Sequence, residues 1–163
     1  MVVGTTSLAP RCRLGEEGSI PLLTALWREW HIDSALQQAY YAQGAVIGGI
    51  SAGMICWFEY GLSDSIPGPL GPIQGLGWLP GGACPHFDGE AERRPSLHQS
   101  IANGAMPATW AADDGAALHF IDGKLHKAIA SRQEAKAWRV ESDANKQIIE
   151  TAIECQYLGQ PNS

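Results

Sequence analysis

A serine that attacks a carbonyl needs a backbone that aims its hydroxyl, a base that takes its proton, and donors for the oxyanion that forms. Gly49-Ile50-Ser51-Ala52-Gly53 has the pattern for the first of these, G-x-S-x-G. It joins a short apolar run, Ala45 to Ile50, to an apolar, helix-compatible segment from Ala52 to about Tyr60. Strand, glycine turn and helix in that order describe a nucleophile elbow. The serine sits strained at the tip, and its neighbours are small because the strand and helix backbones pass close together. The amide of Ala52, next after the serine, faces the place where an oxyanion would form. The same residue types also build ordinary strand-to-helix turns, so the pattern gains weight only from a base placed to serve it.

Five histidines compete for that role. His31 falls between two helices, His119 inside an aliphatic strand, and His126 beside Lys127 near a turn. All three settings suit structural or solvent-facing side chains. His98 lies on a helix expected from about Ser96 to Asn103 and stays in contention. His86 is set apart by its flanking Pro85 and Phe87, just after a long glycine- and proline-rich stretch. A rigid loop of this kind can present a side chain to a site. Asp64, in Leu62-Ser63-Asp64-Ser65, follows the elbow helix and is placed to orient an imidazole; read only as a turn aspartate, it has no such role. Cys84-Pro85-His86 offers two types of metal ligand, but no second pair lies at ligand spacing, and no metal or cofactor is expected.

The elements that must position these groups belong to one domain, residues 1–163, long enough to bury a core. Charged residues make up 17% of the chain, below the usual level of about 25%, so its surface is sparsely charged. The formal net charge of −6 leaves no basic footprint for nucleic acid. No apolar run approaches the ~20 residues of a membrane span, and no secretory pattern opens the chain. Cys12, Cys56, Cys84 and Cys155 form no C-x-x-C pair and read as free thiols in a reducing cytoplasm.

In chain order, Ser19 and Pro21 open a helix whose apolar face carries Leu22, Leu23, Leu26, Trp27 and Trp30. A second helix runs from about Asp33 to Gln43 and ends at Gly44. After the elbow strand and helix, residues 61–82 read as a long loop containing four prolines and seven glycines, with a short strand at Leu76 to Leu79. Short strands follow at Thr109 to Ala112, Ala116 to Ile121, Lys127 to Ala130 and Ala137 to Glu141, with Asp122-Gly123 as a hairpin turn. Asn145 to Tyr157 reads as a closing helix. Strands alternating with helices first, then hairpin-like strands, predict an α/β fold with a mostly parallel sheet.

The elbow, the Cys56-Trp57-Phe58-Glu59 after it, and Cys84-Pro85-His86-Phe87-Asp88 resemble peptidase E, the family of aspartyl dipeptidases related to cyanophycinase. Leu26-Trp27-Arg28-Glu29-Trp30 and Asp113-Asp114-Gly115-Ala116-Ala117-Leu118 are similar to the family as well, so the likeness runs from about Gly18 to Gly159. It implies a fold like the class I glutamine amidotransferases, with helices on both faces of the sheet. It also implies a cytoplasmic serine peptidase acting on short peptides, those with N-terminal aspartate included. Ser51 would be the nucleophile and His86 the base, with Asp64 as the acid and Glu59 as its nearby substitute. The family's glycine-rich turn, which donates a second oxyanion amide, corresponds to Glu16-Glu17-Gly18-Ser19-Ile20, so Gly18 inherits that role. Arg93 and Arg94 are placed to receive an acidic substrate group, or else to form a solvated charged segment with Glu90 and Glu92.

Family members carry further βα units before the glycine turn. Met1 to Gly15 does not resemble them, and the chain reads as an N-terminally truncated member, with homo-oligomerisation expected from the strand edges left bare. Two other readings compete with a peptidase. An impaired family member would act as a binding domain. An α/β-hydrolase esterase would share the elbow, but such chains place the histidine far downstream, whereas His86 follows Ser51 by only 35 residues. An amidotransferase would carry cysteine at position 51.

Overall fold

The computed structural model describes residues 19–159 together with the backbone of two short strands, β1 (Val2–Val3) and β2 (Arg11–Arg13). Helix α1, Ile20–Glu29, starts after Ser19 with Pro21 in its first turn, where a missing N–H costs nothing. It buries Ile20, Thr24 and Trp27 while Leu22 and Leu26 face outward. Helix α2, Ile32–Gln43, ends on Gly44 in the left-handed conformation, as a glycine C-terminal to a helix should. Strand β3, Val46–Gly48, follows and buries Ile47.

Beyond the elbow the chain departs from expectation. The helix that should reach Tyr60 is a single turn, α3, Ala52–Ile55. Phe58–Ser63 is then a strand, β4, and the expected long loop contains β5, Gly71–Gln74, and the start of β6, Leu79–Cys84. Pro67 and Pro69 lie in the bend between β4 and β5, and Pro72 sits on the edge strand β5, where a missing donor is tolerated. Helix α4, Arg93–Ala102, precedes β7, Thr109–Ala112, and the hairpin β8, Ala116–Ile121, with β9, Lys124–Ala130. Its turn is Asp122-Gly123, both with positive φ (50° and 74°), the backbone that a two-residue hairpin requires. The expected closing helix is also strand. After β10, Ala137–Ser142, come β11, Ile148–Ile153, and β12, Cys155–Tyr157.

The described strands form two six-stranded sheets, in the orders β12-β9-β8-β1-β3-β2 and β11-β10-β7-β6-β4-β5. In the second, the central strands β4, β6 and β7 are parallel, and β5, β10 and β11 join antiparallel toward the edges. This is the α/β class read from the sequence, with parallel strands at the heart of a mixed sheet. One core cluster joins α1 to the elbow through Trp27, Trp57 and Trp78, whose rings lie 5.4 and 5.1 Å apart in turn. The other packs Leu97 and Ile101 of α4 against Leu62, Cys84, Ala111 and Val140 of the second sheet. No helix among the described residues is long and apolar enough to cross a membrane.

Candidate active site

Ser51 stands between β3 and α3 with φ 54° and ψ −120°, a backbone region left almost entirely to glycine. Holding a serine there costs about 1–3 kcal/mol. The turn is over-determined by its surroundings. The Gly53 amide donates to the Ile50 carbonyl (2.8 Å), the Met54 amide donates to the Ser51 carbonyl (2.9 Å), and Ala52, Gly53, Met54 and Ile55 are all buried. A Cβ on Gly49 would lie 2.0 Å from the Gly53 carbonyl oxygen, so the first position of G-x-S-x-G must stay glycine. Strand, tight turn and helix follow one another in the expected order.

His86 lies two residues past the end of β6, also with a left-handed backbone (φ 55°). Its turn is closed by the Gly89 amide donating to the His86 carbonyl (3.1 Å) and is tied to β7 by the Phe87 amide donating to Ala112 (3.0 Å). Phe87 anchors the turn from below. It is buried, with the Arg94 guanidinium 4.5 Å above its ring and Trp138 6.1 Å away.

The carboxylate that meets His86 is Asp114, with Oδ1 2.5 Å from Nδ1. Asp64 had been expected there, and no hydrogen bond joins it to His86. The reason lies in the elbow helix. Because α3 stops at Ile55, the chain continues as β4 and carries Asp64 past that strand's end, where it is exposed on the wall of the cleft. Glu59, the substitute, accepts the Gly81 amide (2.8 Å) instead. Asp114 comes from the turn after β7, the parallel neighbour of β6, where Cys84 sits opposite Ala111. The signal for it was present in Asp113-Asp114-Gly115, an acidic turn at a strand end. The adjacent Asp113 is buried and consumed by the fold, accepting from the Lys136 amide (2.9 Å) and from Trp138 Nε1 (3.1 Å).

Ser51 and His86 line a polar cleft of about 270 Å³ together with Ala52, Ser63, Asp64 and Arg93. A narrower hollow is lined by Ser51, His86 and Asp114. A larger cavity of about 540 Å³ has walls of Tyr40, Trp57 and Trp78 and contains none of the candidate residues. The two arginines separate. Arg93 is buried at the cleft, its Nη2 donating to both Glu90 carboxylate oxygens (2.8 Å each) and its Nη1 to the Leu62 carbonyl (3.4 Å). Arg94 does not line the cleft; it pairs with Glu150 (3.1 Å). His98 shares that glutamate, its Nε2 2.6 Å from Oε1, and so has a structural partner. His119 packs edge-on against His126 (5.3 Å), and burial, with His126 and Lys127 nearby, pushes its pKa down. Gly18 lies outside the described residues.

An α/β fold that brings a strained elbow serine, a histidine and that histidine's carboxylate partner to one place has the parts of a nucleophilic hydrolase. The profile of peptidase family S51 matches residues 18–128, which include Ser51, His86 and Asp114. The chain is also 49% identical over 142 residues to the uncharacterized peptidase YgaJ of Bacillus subtilis (strain 168). The chain belongs to peptidase family S51. The match covers 87% of this chain and spans 60% of the length of that relative.

Proposed function

We propose that this chain carries the active site of a serine peptidase acting on short peptides. The observation behind the reading is the His86–Asp114 pair beside an elbow serine that shares a cleft with His86. With Nδ1 engaged by Asp114, Nε2 is the nitrogen left to act as base. It takes the Ser51 proton as Oγ attacks the peptide carbonyl, and Asp114 stabilises the imidazolium that forms. The Ala52 amide, at the first position of a helix and without an intrahelical partner, receives the oxyanion. Gly18 is proposed as the second donor. The start of α1 adjoins the cleft wall, where the Ile20 amide donates to Ser65 Oγ (3.4 Å). His86 then gives its proton to the leaving amine, and water resolves the acyl-enzyme by the same route.

For substrates with N-terminal aspartate, Arg93 is the cation at hand in the cleft, and an acidic group would have to compete with Glu90 for it. Arg94 drops out of that role. Cys56, Cys84 and Cys155 are free thiols, in keeping with a reducing cytoplasm as the working compartment. The test is labelling by a fluorophosphonate, followed by hydrolysis of a dipeptide panel with and without N-terminal aspartate. Labelling confined to Ser51 and abolished in Ser51→Ala is the expected result. A chain that takes up no probe at Ser51 would be left as a binding domain.

A further inference from the structure

Asp114 is the exposed member of the pair, about half of its side chain open to solvent (53%) against 22% for His86. Burial therefore does not fix the carboxylate, and something else must hold it on Nδ1. Its main chain is gripped from two sides. The Asp114 amide donates to Asp88 Oδ1 (2.7 Å), and the Asp114 carbonyl accepts from Arg132 Nε (2.7 Å) and from Arg132 Nη2. Arg132 Nη2 also pairs with Asp88 Oδ2 (2.8 Å), so the two gripping side chains hold each other.

Asp88 lies within the four-residue turn, His86 to Gly89, that presents the imidazole. The contacts make a closed circuit. The His86 ring meets the Asp114 side chain, the Asp114 backbone meets the Asp88 side chain, and Asp88 returns to His86 through two peptide units. Arg132, from the segment after β9, braces both halves. Gly89 leaves the room that the Asp114 carboxylate occupies, since a Cβ built there would lie 3.0 Å from its Oδ2.

We propose that Asp88 and Arg132 are positioning residues, which fix the Asp114 main chain so that its carboxylate stays on Nδ1 and holds His86 in the Nδ1–H tautomer. The proposal rests on the serine peptidase reading for its kinetic consequence but not for its structural one. It also gives Asp88 a task that a turn aspartate alone would not have. A one-carboxylate grip on an amide survives conversion to asparagine, whose oxygen still accepts. The planar guanidinium cannot be replaced by a lysine, whose single ammonium does not span two acceptors in the same way.

The experiment uses the full chain with Asp88→Ala, Asp88→Asn, Arg132→Gln and Arg132→Lys. Two readouts are taken: dipeptide turnover, and the His86 tautomer from ring ¹⁵N shifts at a pH where imidazole is neutral. The half-exposed Arg132 serves as a second probe should Asp88→Ala fail to fold. Asp88→Ala and Arg132→Gln are expected to lower kcat by about 10- to 100-fold with KM nearly unchanged, the scale of a displaced catalytic group. Both should turn a wild-type Nδ1–H ring into a tautomer mixture. Asp88→Asn should recover most of the tautomer and part of the rate, and Arg132→Lys little of either. Unchanged tautomer and kcat in Asp88→Ala and Arg132→Gln, whatever their melting temperatures, would overturn the proposal, as would equal loss in Asp88→Asn and Asp88→Ala. A wild type that neither labels nor turns over would reject the peptidase reading alone, and the tautomer comparison would still decide this one.

Discussion

The assignment of Asp114 as the orienting carboxylate makes a kinetic effect and a stability effect of very different size, and Asp114→Asn separates them. The hydrogen bond lies between a half-exposed carboxylate and a mostly covered imidazole. Exposed pairs contribute about 0–1 kcal/mol to folding. In a chain of this size, such a loss lowers the melting temperature by at most about 4 °C. The same change removes the negative charge that stabilises the imidazolium and lets an amide N–H compete for Nδ1, which favours the tautomer with its proton on the wrong nitrogen. A loss of this kind lowers kcat by about 10⁴, or about 5.4 kcal/mol at 1.36 kcal/mol per decade. Asp64→Asn, at an exposed position on the cleft wall without a bond to His86, should lower kcat less than about tenfold, any larger effect falling on KM. Single-turnover fluorophosphonate labelling, dipeptide turnover and calorimetry on the two variants give all the quantities needed. An Asp114→Asn enzyme that kept more than about a tenth of its turnover, or an Asp64→Asn enzyme that lost as much, would refute the assignment.

Gly49→Ala should abolish labelling at Ser51 and sharply lower the melting temperature. Its Cβ would lie 2.0 Å from the Gly53 carbonyl oxygen, well inside contact distance, so the cost should exceed the ~1–3 kcal/mol of ordinary overpacking; a normal melt would refute the close approach. For Asp88, burial alone would raise the pKa, but the Asp114 amide and Arg132 outweigh it and hold the carboxyl below its ordinary value. The stability advantage of wild type over Asp88→Asn should then be full above the unfolded value of about 3.9 and shrink only as pH falls from there through the lower folded value, as urea titrations across pH would show; shrinkage beginning well above that range would refute it. Iodoacetamide should leave Cys56 and Cys84 of the native chain unmodified by peptide mapping, with turnover intact. Both are fully buried, and burial pushes Cys56 far up and Cys84 up to about 12, so rapid alkylation of either would contradict the packing.

The parts of this site differ in how far apart in the chain their causes lie. Ser51 was legible because an elbow is a local object. The strain at the serine and the contact of Gly49 with Gly53 are both set within five residues. His86 was nearly as legible, since Pro85, Phe87 and a tight turn mark it out locally. The sequence reading failed where periodicity was ambiguous. Trp57-Phe58-Glu59-Tyr60 continues an apolar helix face as readily as it opens a strand, and only pairing with β5 and β6 decides the matter. Likewise Ile148, Ile149 and Ile153 suit one helical face, yet the turn before them is tied by Asp143 Oδ1, which accepts from the Asn145 and Gln147 amides (2.8 Å each) and returns the chain as β11 against β10. Misplacing the end of α3 by five residues was enough to aim Asp64 at the imidazole. Asp113-Asp114-Gly115 marked Asp114 as part of an acidic turn but could not pair it with His86, because what brings the two together is register. Cys84 sits opposite Ala111 on parallel neighbours, so the residues two past the ends of β6 and β7 meet. The turn at Ser51 is thus a property of a pentapeptide, whereas the carboxylate beside His86 is a property of sheet topology, and substitutions that disturb strand pairing near Thr109 to Ala112 should impair the His86–Asp114 pair without touching either side chain.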